Sequence, residues 1–208
     1  MKRVKTMAKL DKNTFSPISS SSIQNPVVFV VDMINGFIEE GALHDERIRG
    51  IVPAIQKLLH TLDCPSIFVC DQHDPDAREF QSYPTHCVIH TQESEIIDAL
   101  KPFVKECFFK NSTNTFLCPD FPSFLSKIDQ YKDIVITGCC TDLCILQFAL
   151  SLNAWLNEHN KKEHRVLLPI DCVETYDIPS VHEADFWNKV AIENMAANGI
   201  VCVSQIME

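Results

Sequence analysis

Residues 134–152 read IVITGCCTDLCILQFALSL, and this stretch predicts a buried β-strand, a sharp turn and a helix. The opening residues, IVIT, are all β-branched and form a run that is too short to favour a helix. Gly138 follows, and glycine adopts backbone angles that are closed to other residues. The stretch therefore predicts one strand-to-helix connection of an α/β protein.

The turn after this strand carries a cysteine in a position that favours its thiolate form. Thr141 can cap the helix, and Asp142 places a negative charge in its first turn. Cys144 follows about three residues after the cap, where unpaired backbone N–H groups and the helix dipole lower the pKa of a thiol. The simpler interpretation is a small buried hydrophobic residue, which is the common fate of a cysteine. Both interpretations of Cys144 stay open at this point.

The composition is that of an ordinary globular protein. Of the 208 residues, 46% are hydrophobic and 22% are charged, which excludes a disordered chain and suits one α/β domain. The net charge of −10 argues against nucleic acid as a partner, because a phosphate-binding surface needs a basic face. No apolar run approaches the ~18 residues of a membrane span, so we expect no membrane partner.

The cysteines indicate a reducing compartment. Several of the ten lie in apolar, strand-like runs, where reduced and buried thiols are expected. No apolar segment of a signal peptide follows the basic residues at 1–10, and we expect a cytoplasmic location. Residues 1–25 are mostly polar, with a serine run at 19–22. We expect them to form a flexible N-terminal lead-in before a single domain at residues 26–208.

Six apolar runs alternate with helical patterns along the rest of the chain. The predicted strands are 27–31, 66–70, 107–109, 134–137, 165–170 and 200–203. Helices are predicted at 47–62, 93–100, 121–128, 144–157 and 181–198. Crossovers between parallel strands are right-handed, so this alternation predicts an α/β fold. We expect a single domain with a six-stranded, mainly parallel sheet and helices on both faces.

Charged side chains follow the strands at the edge where a parallel sheet binds its ligands. Asp32, Asp71 and Lys110 end the first three predicted strands, and the turn with Cys144 follows the fourth. A cysteine nucleophile needs a base for its proton, and that base needs a charged partner to hold it ionised and oriented. Asp32 and Lys110 have the chemistry for these roles. The alternative is an ion pair that bridges two loops, with a silent thiol nearby.

A second polar group lies in a long irregular segment, which in a compact domain is typical of a functional loop. Asp71 and His73 are two apart on extended chain, so their side chains point the same way. Glu79 lies on the loop, and His86 follows shortly after Pro84. Such a set of imidazoles and carboxylates suits zinc, manganese or iron. The alternative is packed or solvated histidines, which is the expectation for His44, His60, His159, His164 and His182.

Together these residues resemble the nicotinamidase branch of the isochorismatase-like cysteine hydrolases. The matching motifs are VVFVVDMINGF at 27–37, DQH at 71–73 with EF at 79–80 and YPTHCV at 83–88, FFKNSTNTF at 108–116, and GCCTDLC at 138–144. They occur in the order of the family, and DCVETYD and FWNKVAIENM extend the resemblance over the chain after residue 25. The resemblance implies the six-stranded parallel sheet and often a homo-oligomer.

The resemblance also implies catalytic roles. Asp32 would be the general base, Lys110 its partner and Cys144 the nucleophile. The bond between Cys139 and Cys140 matches the cis peptide of the family, which would bring the backbone N–H groups of Cys140 and Cys144 together as an oxyanion hole.

Metal and substrate positions follow in the same way. Asp71, His73 and His86 match the metal ligands, and Glu79 matches the position where some members place a fourth. The aromatic residues that sandwich a pyridine ring correspond to Phe37 and Tyr83, and the substrate-binding set is completed by Cys139. Three positions depart from the family, since many members carry tryptophan at Tyr83, small residues at 139–140 and glycine at His90.

The function that the resemblance implies is hydrolysis of nicotinamide to nicotinate and ammonia, with one divalent metal ion as cofactor, for which we expect zinc, with manganese and iron as alternatives. The nearest alternative is a hydrolase of the same family that acts on another small amide or carbamoyl compound. A third interpretation is a non-catalytic metal or thiol module that uses Cys140 and Cys144, although the spacing C-x-x-x-C differs from the usual redox spacing. Vinyl-ether hydrolysis of the isochorismate type fits less well, because that branch usually lacks the nucleophilic cysteine.

Overall fold

The computed structural model describes residues 14–208, and a parallel sheet forms its centre. The strands are β1 (Ile18–Ser19), β2 (Val27–Val31), β3 (Ser66–Asp71), β4 (Glu106–Lys110), β5 (Asp133–Cys139), β6 (Arg165–Pro169), β7 (Val173–Glu174), β8 (Val201–Val203) and β9 (Ile206–Met207). The main sheet has the order β4-β3-β2-β5-β6-β8, and β7 pairs with the end of β5. The pairing is parallel throughout this sheet. The predicted six-stranded α/β fold is confirmed, with β7 as a short addition.

Helices cover both faces of the sheet. They are α1 (Asn35–Ile38), α2 (Glu46–Arg49), α3 (Val52–Leu62), α4 (Phe121–Leu125), α5 (Leu146–Glu158) and α6 (Ala184–Ala197). On one face α4, α5 and α6 supply core residues, and on the other face α2 and α3 do so. No helix among the described residues is long and apolar enough to cross a membrane.

The central strand β2 explains how one sheet serves two cores. Its five residues, VVFVV, are fully buried. Side chains alternate between the faces of a strand, so Val27, Phe29 and Val31 pack with one cluster and Val28 and Val30 with the other. A run that is apolar at every position is therefore required in the middle of a parallel sheet.

Three predicted helices differ from the observed ones. The predicted helix 47–62 is divided into α2 and α3, because Pro53 favours a new helix start in its first turn. The predicted helix 93–100 is wrong: only a 3₁₀ turn at Gln92–Ser94 forms, and the following chain makes an isolated bridge between Ile34 and Ile96. The predicted helix 121–128 ends at Leu125, and a 3₁₀ turn at Ile128–Gln130 follows it.

The expected flexible lead-in also differs where the structure describes it. Residues 1–13 lie outside the described residues. Within 14–25, β1 pairs with β9, and the backbone N–H of Gln24 donates to Asp133 Oδ2 at 2.7 Å. The carbonyl of Ser22 accepts from the Arg165 guanidinium at 3.2 Å. These contacts attach the segment to the end of the chain and to β5 and β6, so this part of the segment is ordered.

Gly138, near the end of β5, permits a close approach between β5 and β2. Its φ is +111°, and a Cβ atom at this position would lie 1.9 Å from the carbonyl oxygen of Val31.

We predict that Gly138→Ala costs more than about 4 kcal/mol of unfolding free energy or prevents folding, because the backbone of Val31 cannot move aside cheaply. Gly199→Ala is the matched control, since its φ is +91° but its Cβ would meet nothing closer than 3.6 Å. Its cost should be about 1–2 kcal/mol, from the left-handed backbone alone. Urea denaturation measures both, and equal costs would contradict the prediction.

Candidate active site

The carboxyl ends of adjacent strands place a lysine between two carboxylates and a thiol. Lys110 ends β4, Asp71 ends β3, and these two residues are register partners. Asp32 follows β2 directly, and Cys144 lies in the turn after β5. Lys110 Nζ lies 2.9 Å from Asp32 Oδ2 and 3.7 Å from Cys144 Sγ, and it donates a hydrogen bond to Asp71 Oδ1. The residues to which the resemblance gives catalytic roles therefore meet at one point.

Asp32 is fixed by the backbone around it. Its φ of 55° lies in the left-handed region, which is uncommon for a non-glycine residue and occurs often at functional sites. Its Oδ1 accepts the backbone N–H of Asp71 at 3.0 Å, and its own N–H donates to the carbonyl of Val69 at 2.8 Å. Its Oδ2 lies 2.9 Å from the Lys110 ammonium, and one oxygen of the carboxylate lies within 4.8 Å of Cys144 Sγ. One carboxylate oxygen is thus in a position to accept a proton.

Burial sets the protonation chemistry of this group. Burial and the charge of Asp71 raise the pKa of Asp32 to about 7, although Lys110 acts in the opposite direction. Burial also raises the pKa of the Cys144 thiol well above its usual value, and the Lys110 charge offsets this only in part. Burial alone would lower the pKa of Lys110, but Asp32 and Asp71 outweigh it and raise that pKa well above the usual value. The expected lowering of the Cys144 pKa at the helix start is therefore wrong, and its thiol needs a base.

The turn that carries Cys144 is a π-helical turn, Thr141–Ile145, which continues directly into α5. The residue at the N-cap is Cys140, and no side chain caps the turn. The prediction that Thr141 is the cap is wrong, because Thr141 lies one residue inside the turn, where its hydroxyl is buried without a hydrogen-bond partner. Single π-helical turns occur often at functional sites.

The backbone before this turn has the geometry that the resemblance implies. The peptide bond between Cys139 and Cys140 is cis. The carbonyl of Cys140 accepts hydrogen bonds from Leu143 N at 3.0 Å and from Ile145 N at 3.2 Å. Cys144 lies between Leu143 and Ile145 in the sequence, and its own backbone N–H does not take part in these two hydrogen bonds.

Three side chains at the end of β3 could hold a metal ion. One ligand atom each of Asp71, His73 and His86 lies within 4.8 Å of the others, and all three residues are buried. His86 Nδ1 lies 2.8 Å from the carbonyl of Pro84, which only accepts, so this nitrogen carries the proton. His73 Nδ1 lies 2.9 Å from Asn111 Oδ1 and carries its proton for the same reason. Each histidine therefore presents the lone pair of its Nε2, and His73 Nε2 is buried with no hydrogen-bond partner. The chemistry of this donor set fits a divalent transition metal.

A small cleft joins the metal-ligand group to the thiol. Its enclosed volume is about 30 Å³, and its lining residues are Phe37, Leu43, Asp71, Glu79, Tyr83, His86, Thr113, Cys140, Leu143 and Cys144. The rings of Phe37 and Tyr83 lie 5.8 and 6.3 Å from that of His86, between centroids. Glu79 lies in the wall, but its carboxylate does not belong to the group of ligand atoms within 4.8 Å. The structure thus brings together three of the four residues assigned as metal ligands.

One expected substrate contact is contradicted, and several lining residues were not predicted. The Cys139 side chain is fully buried and donates to the carbonyl of Asp32 at 3.2 Å, so it supports the backbone of Asp32 and does not line the cleft. The cleft is also lined by Leu43, Thr113 and Leu143, which were not predicted from the sequence. Asn111 was not predicted either, and its only signal was its place directly after Lys110 at a strand end.

Residues 26–205 match the isochorismatase domain family. The chain is also similar to Nicotinamidase 1 of Arabidopsis thaliana, with 33% identity over 168 residues. That match covers 71% of this chain and 65% of the relative, so the chain matches less than two thirds of the relative's length.

Two solved structures share the fold. PnC1 from L. infantum, in complex with nicotinate, has a TM-score of 0.71 at 17% identity and covers 91% of this chain and 96% of its own. The pyrazinamidase of Pyrococcus horikoshii, in complex with zinc, has a TM-score of 0.67 at 22% identity and covers 86% and 99%. The family match includes every strand of the main sheet and every residue of the lysine, acid and thiol group. The chain therefore belongs to the isochorismatase family.

Proposed function

We propose that this protein is a cysteine-dependent amidohydrolase that converts nicotinamide to nicotinate and ammonia. The observation that carries the proposal is that the Cys144 thiol lies beside Lys110 and Asp32 and shares Asp71 with the buried group of Asp71, His73 and His86. The similarity to a plant nicotinamidase supports the same substrate. Association into a homo-oligomer stays a prediction.

The first half of the reaction forms a thioester. Asp32 Oδ2 takes the thiol proton of Cys144, and the sulfur attacks the carboxamide carbon. The charge that develops on the carboxamide oxygen is stabilised by the backbone N–H groups of Cys140 and Cys144. Asp32 then gives its proton to the leaving nitrogen, so that ammonia departs and the acyl group remains on Cys144. Throughout these steps Lys110 balances the charge of the two buried carboxylates.

The second half hydrolyses the thioester. A water molecule takes the place of ammonia, and Asp32 accepts its proton as it attacks the acyl carbon. The tetrahedral species collapses, the carboxylate leaves, and the thiol of Cys144 is restored. Water is consumed once per cycle, and the proton on Asp32 returns to the sulfur.

The residues that would hold the metal are Asp71, through Oδ2, and His73 and His86, through Nε2. A divalent ion bound there would supply an open coordination position for a ring nitrogen and so orient the substrate. Zinc suits two imidazoles and a carboxylate, and manganese and iron suit them as well. Phe37 and Tyr83, whose rings lie near that of His86, would contact the faces of the substrate ring.

The second candidate function is hydrolysis of a smaller amide or carbamoyl compound by the same chemistry. The observation that favours it is the narrowness of the cleft, whose volume of about 30 Å³ is small for a substrate that carries a ring.

The first prediction concerns the reacting groups. Purified protein supplied with zinc should release ammonia from nicotinamide, and Cys144→Ala should abolish the release without loss of fold. Asp32→Asn should lower kcat by about 10²-fold or more, because the thiol then lacks its base. Cys202→Ala, a half-buried thiol in β8, is the control and should keep full activity. No release from nicotinamide would reject this substrate, and release from a panel of smaller amides would then support the second candidate.

The second prediction concerns the metal. Mass-spectrometric metal analysis should find about one divalent ion per chain, and His73→Ala or His86→Ala should lose it. Asn111→Ala should weaken metal binding by about 10–100-fold, because Nδ1 of His73 loses the partner that fixes its tautomer. His44→Ala is the control, since His44 is exposed and bonded to Gly41 on another loop. Metal retained in full by the His73 and His86 variants would contradict the assignment.

The third prediction concerns the ring contact. Phe37→Leu should raise KM for nicotinamide by about fivefold with little change in kcat, because a lost aromatic contact costs about 1 kcal/mol. Phe109→Leu, on the half-exposed face of β4, should leave KM unchanged. Steady-state kinetics of ammonia release distinguish the two variants, and an effect on kcat alone would contradict a ring-binding role.

A further inference from the structure

Asp142, two residues before the nucleophile, is bonded on both of its carboxylate oxygens to the segment that precedes α6. Its Oδ1 accepts the hydroxyl of Thr175 at 2.5 Å, and its Oδ2 lies 2.8 Å from His182 Nε2. The Asp142 side chain is 7% exposed and that of His182 is 11% exposed. Water therefore competes little with these bonds, and they link the π-helical turn to a part of the chain that is distant in sequence.

His182 meets a hydrogen-bond acceptor on each side of its ring. Its Nδ1 lies 3.0 Å from the carbonyl of Tyr176, and its Nε2 faces the Asp142 carboxylate. Carbonyl and carboxylate oxygens only accept, so a ring nitrogen that carries a proton donates to the acceptor that it faces. The hydrogen bond from Nε2 ties the His182 ring to the turn that carries Cys144.

Two aromatic rings fix the plane of this imidazole. The Tyr176 ring stacks on it with a centroid distance of 3.9 Å and an angle of 15°, and the Trp187 ring lies nearly parallel to it at 5.4 Å and 8°. This stacking leaves His182 little freedom to turn away from Asp142. His182 is thus held in one orientation by its neighbours.

The turn Thr141–Ile145 needs such support from outside. No side chain caps it, and the Thr141 hydroxyl makes no hydrogen bond. Helix α6 and strand β7 pack against the turn. Asp142 is the side chain through which the turn hydrogen-bonds to Thr175 and His182, which lie next to these two elements.

We propose that Asp142, Thr175 and His182 form a positioning network that holds the Cys144 turn so that the sulfur stays beside Lys110 and Asp32. The inference rests on the proposed function, because it assigns a role toward the nucleophile of that reaction. The hydrogen bonds from Thr175 and His182 hold the Asp142 carboxylate in place, and with it the turn that carries Cys144. None of the three residues lines the cleft, so the network acts on attack by the sulfur and leaves substrate binding unchanged.

The test measures whether Asp32 still acts on the sulfur, and it needs no amide substrate. Iodoacetamide alkylation of Cys144 is followed by mass spectrometry of its peptide, with and without Asp32→Asn. In the otherwise natural protein, Asp32→Asn should slow alkylation by about tenfold, because the base is lost. In protein that already carries His182→Leu, Asp32→Asn should change the alkylation rate of Cys144 by less than about twofold, because the sulfur no longer lies beside Asp32. His182→Gln keeps a donor for Asp142 and should restore most of the tenfold difference.

Matched variants separate positioning from general stability. His159→Leu is the control, since His159 also stacks on a tryptophan and bonds to a carbonyl, but at the far end of α5. It should keep the full tenfold difference. Thr175→Val removes the other bond to Asp142 with no change of shape, and it replaces His182→Leu if that variant does not fold. With nicotinamide, both network variants should lower kcat at least about tenfold while KM changes less than about twofold.

Two results would overturn the inference. The first is a full Asp32 effect in folded His182→Leu or Thr175→Val protein. The second is the absence of an Asp32 effect in the otherwise natural protein, which rejects the base as well. A third result separates the two proposals. If Asp32→Asn slows alkylation only while the network is intact, but the protein releases no ammonia from nicotinamide, the network is supported and nicotinamide is rejected as the substrate.

Discussion

The whole site depends on one buried ammonium group. Lys110 Nζ lies among Asp32, Asp71 and Cys144, and none of these side chains has more than slight contact with water. Moving an ion into a protein interior costs several kcal/mol unless opposite charges and hydrogen bonds compensate for it. Two carboxylates around one ammonium leave an excess negative charge, which is relieved when one carboxylate takes a proton. Burial is the main reason why the pKa of Asp32 rises to about 7, and the negative charge of Asp71 adds to it. A carboxyl group with that pKa suits a base that accepts and returns a proton.

The parallel sheet supplies the geometry that this cluster needs. Asp71 and Lys110 are register partners at the ends of β3 and β4, and Asp32 follows the neighbouring strand. β2 and β3 are buried on both faces, and β4 pairs with β3, so the hydrogen bonds of the sheet keep the three charges together and away from water. The thiol comes from the next strand, where Gly138 lets β5 lie against Val31 more closely than any side chain would allow. The fold and the chemistry therefore depend on the same strand ends.

The sequence predicted those features that arise from local pattern. The unbroken apolar run 27–31 predicted β2 because only a strand buried on both faces tolerates it, and residues at strand ends predicted the lysine, acid and thiol group. The prediction of a helix at 93–100 was wrong, because this segment forms turns and a bridge between Ile96 and Ile34. The spacing of apolar residues does not reveal such a bridge. Cys139 was assigned to the substrate from its place beside the turn, but the direction of its side chain is set by the carbonyl of Asp32. His182 was expected to be a packing residue, since its partner Asp142 is distant in sequence and only the folded chain brings them together.

Asp71 joins the two halves of the site. Its Oδ1 accepts from Lys110, and its Oδ2 lies 3.7 Å from His73 Nε2, so one carboxylate belongs both to the buried ion group and to the metal-ligand group. A carboxylate that uses both oxygens has only one orientation. The pairing of β3 with β4 places Asp71 beside Lys110, and Lys110 in turn contacts the sulfur, which comes from the turn after β5. A ligand that reaches both groups must match the distance between them, so shape along that line decides which amides the protein accepts.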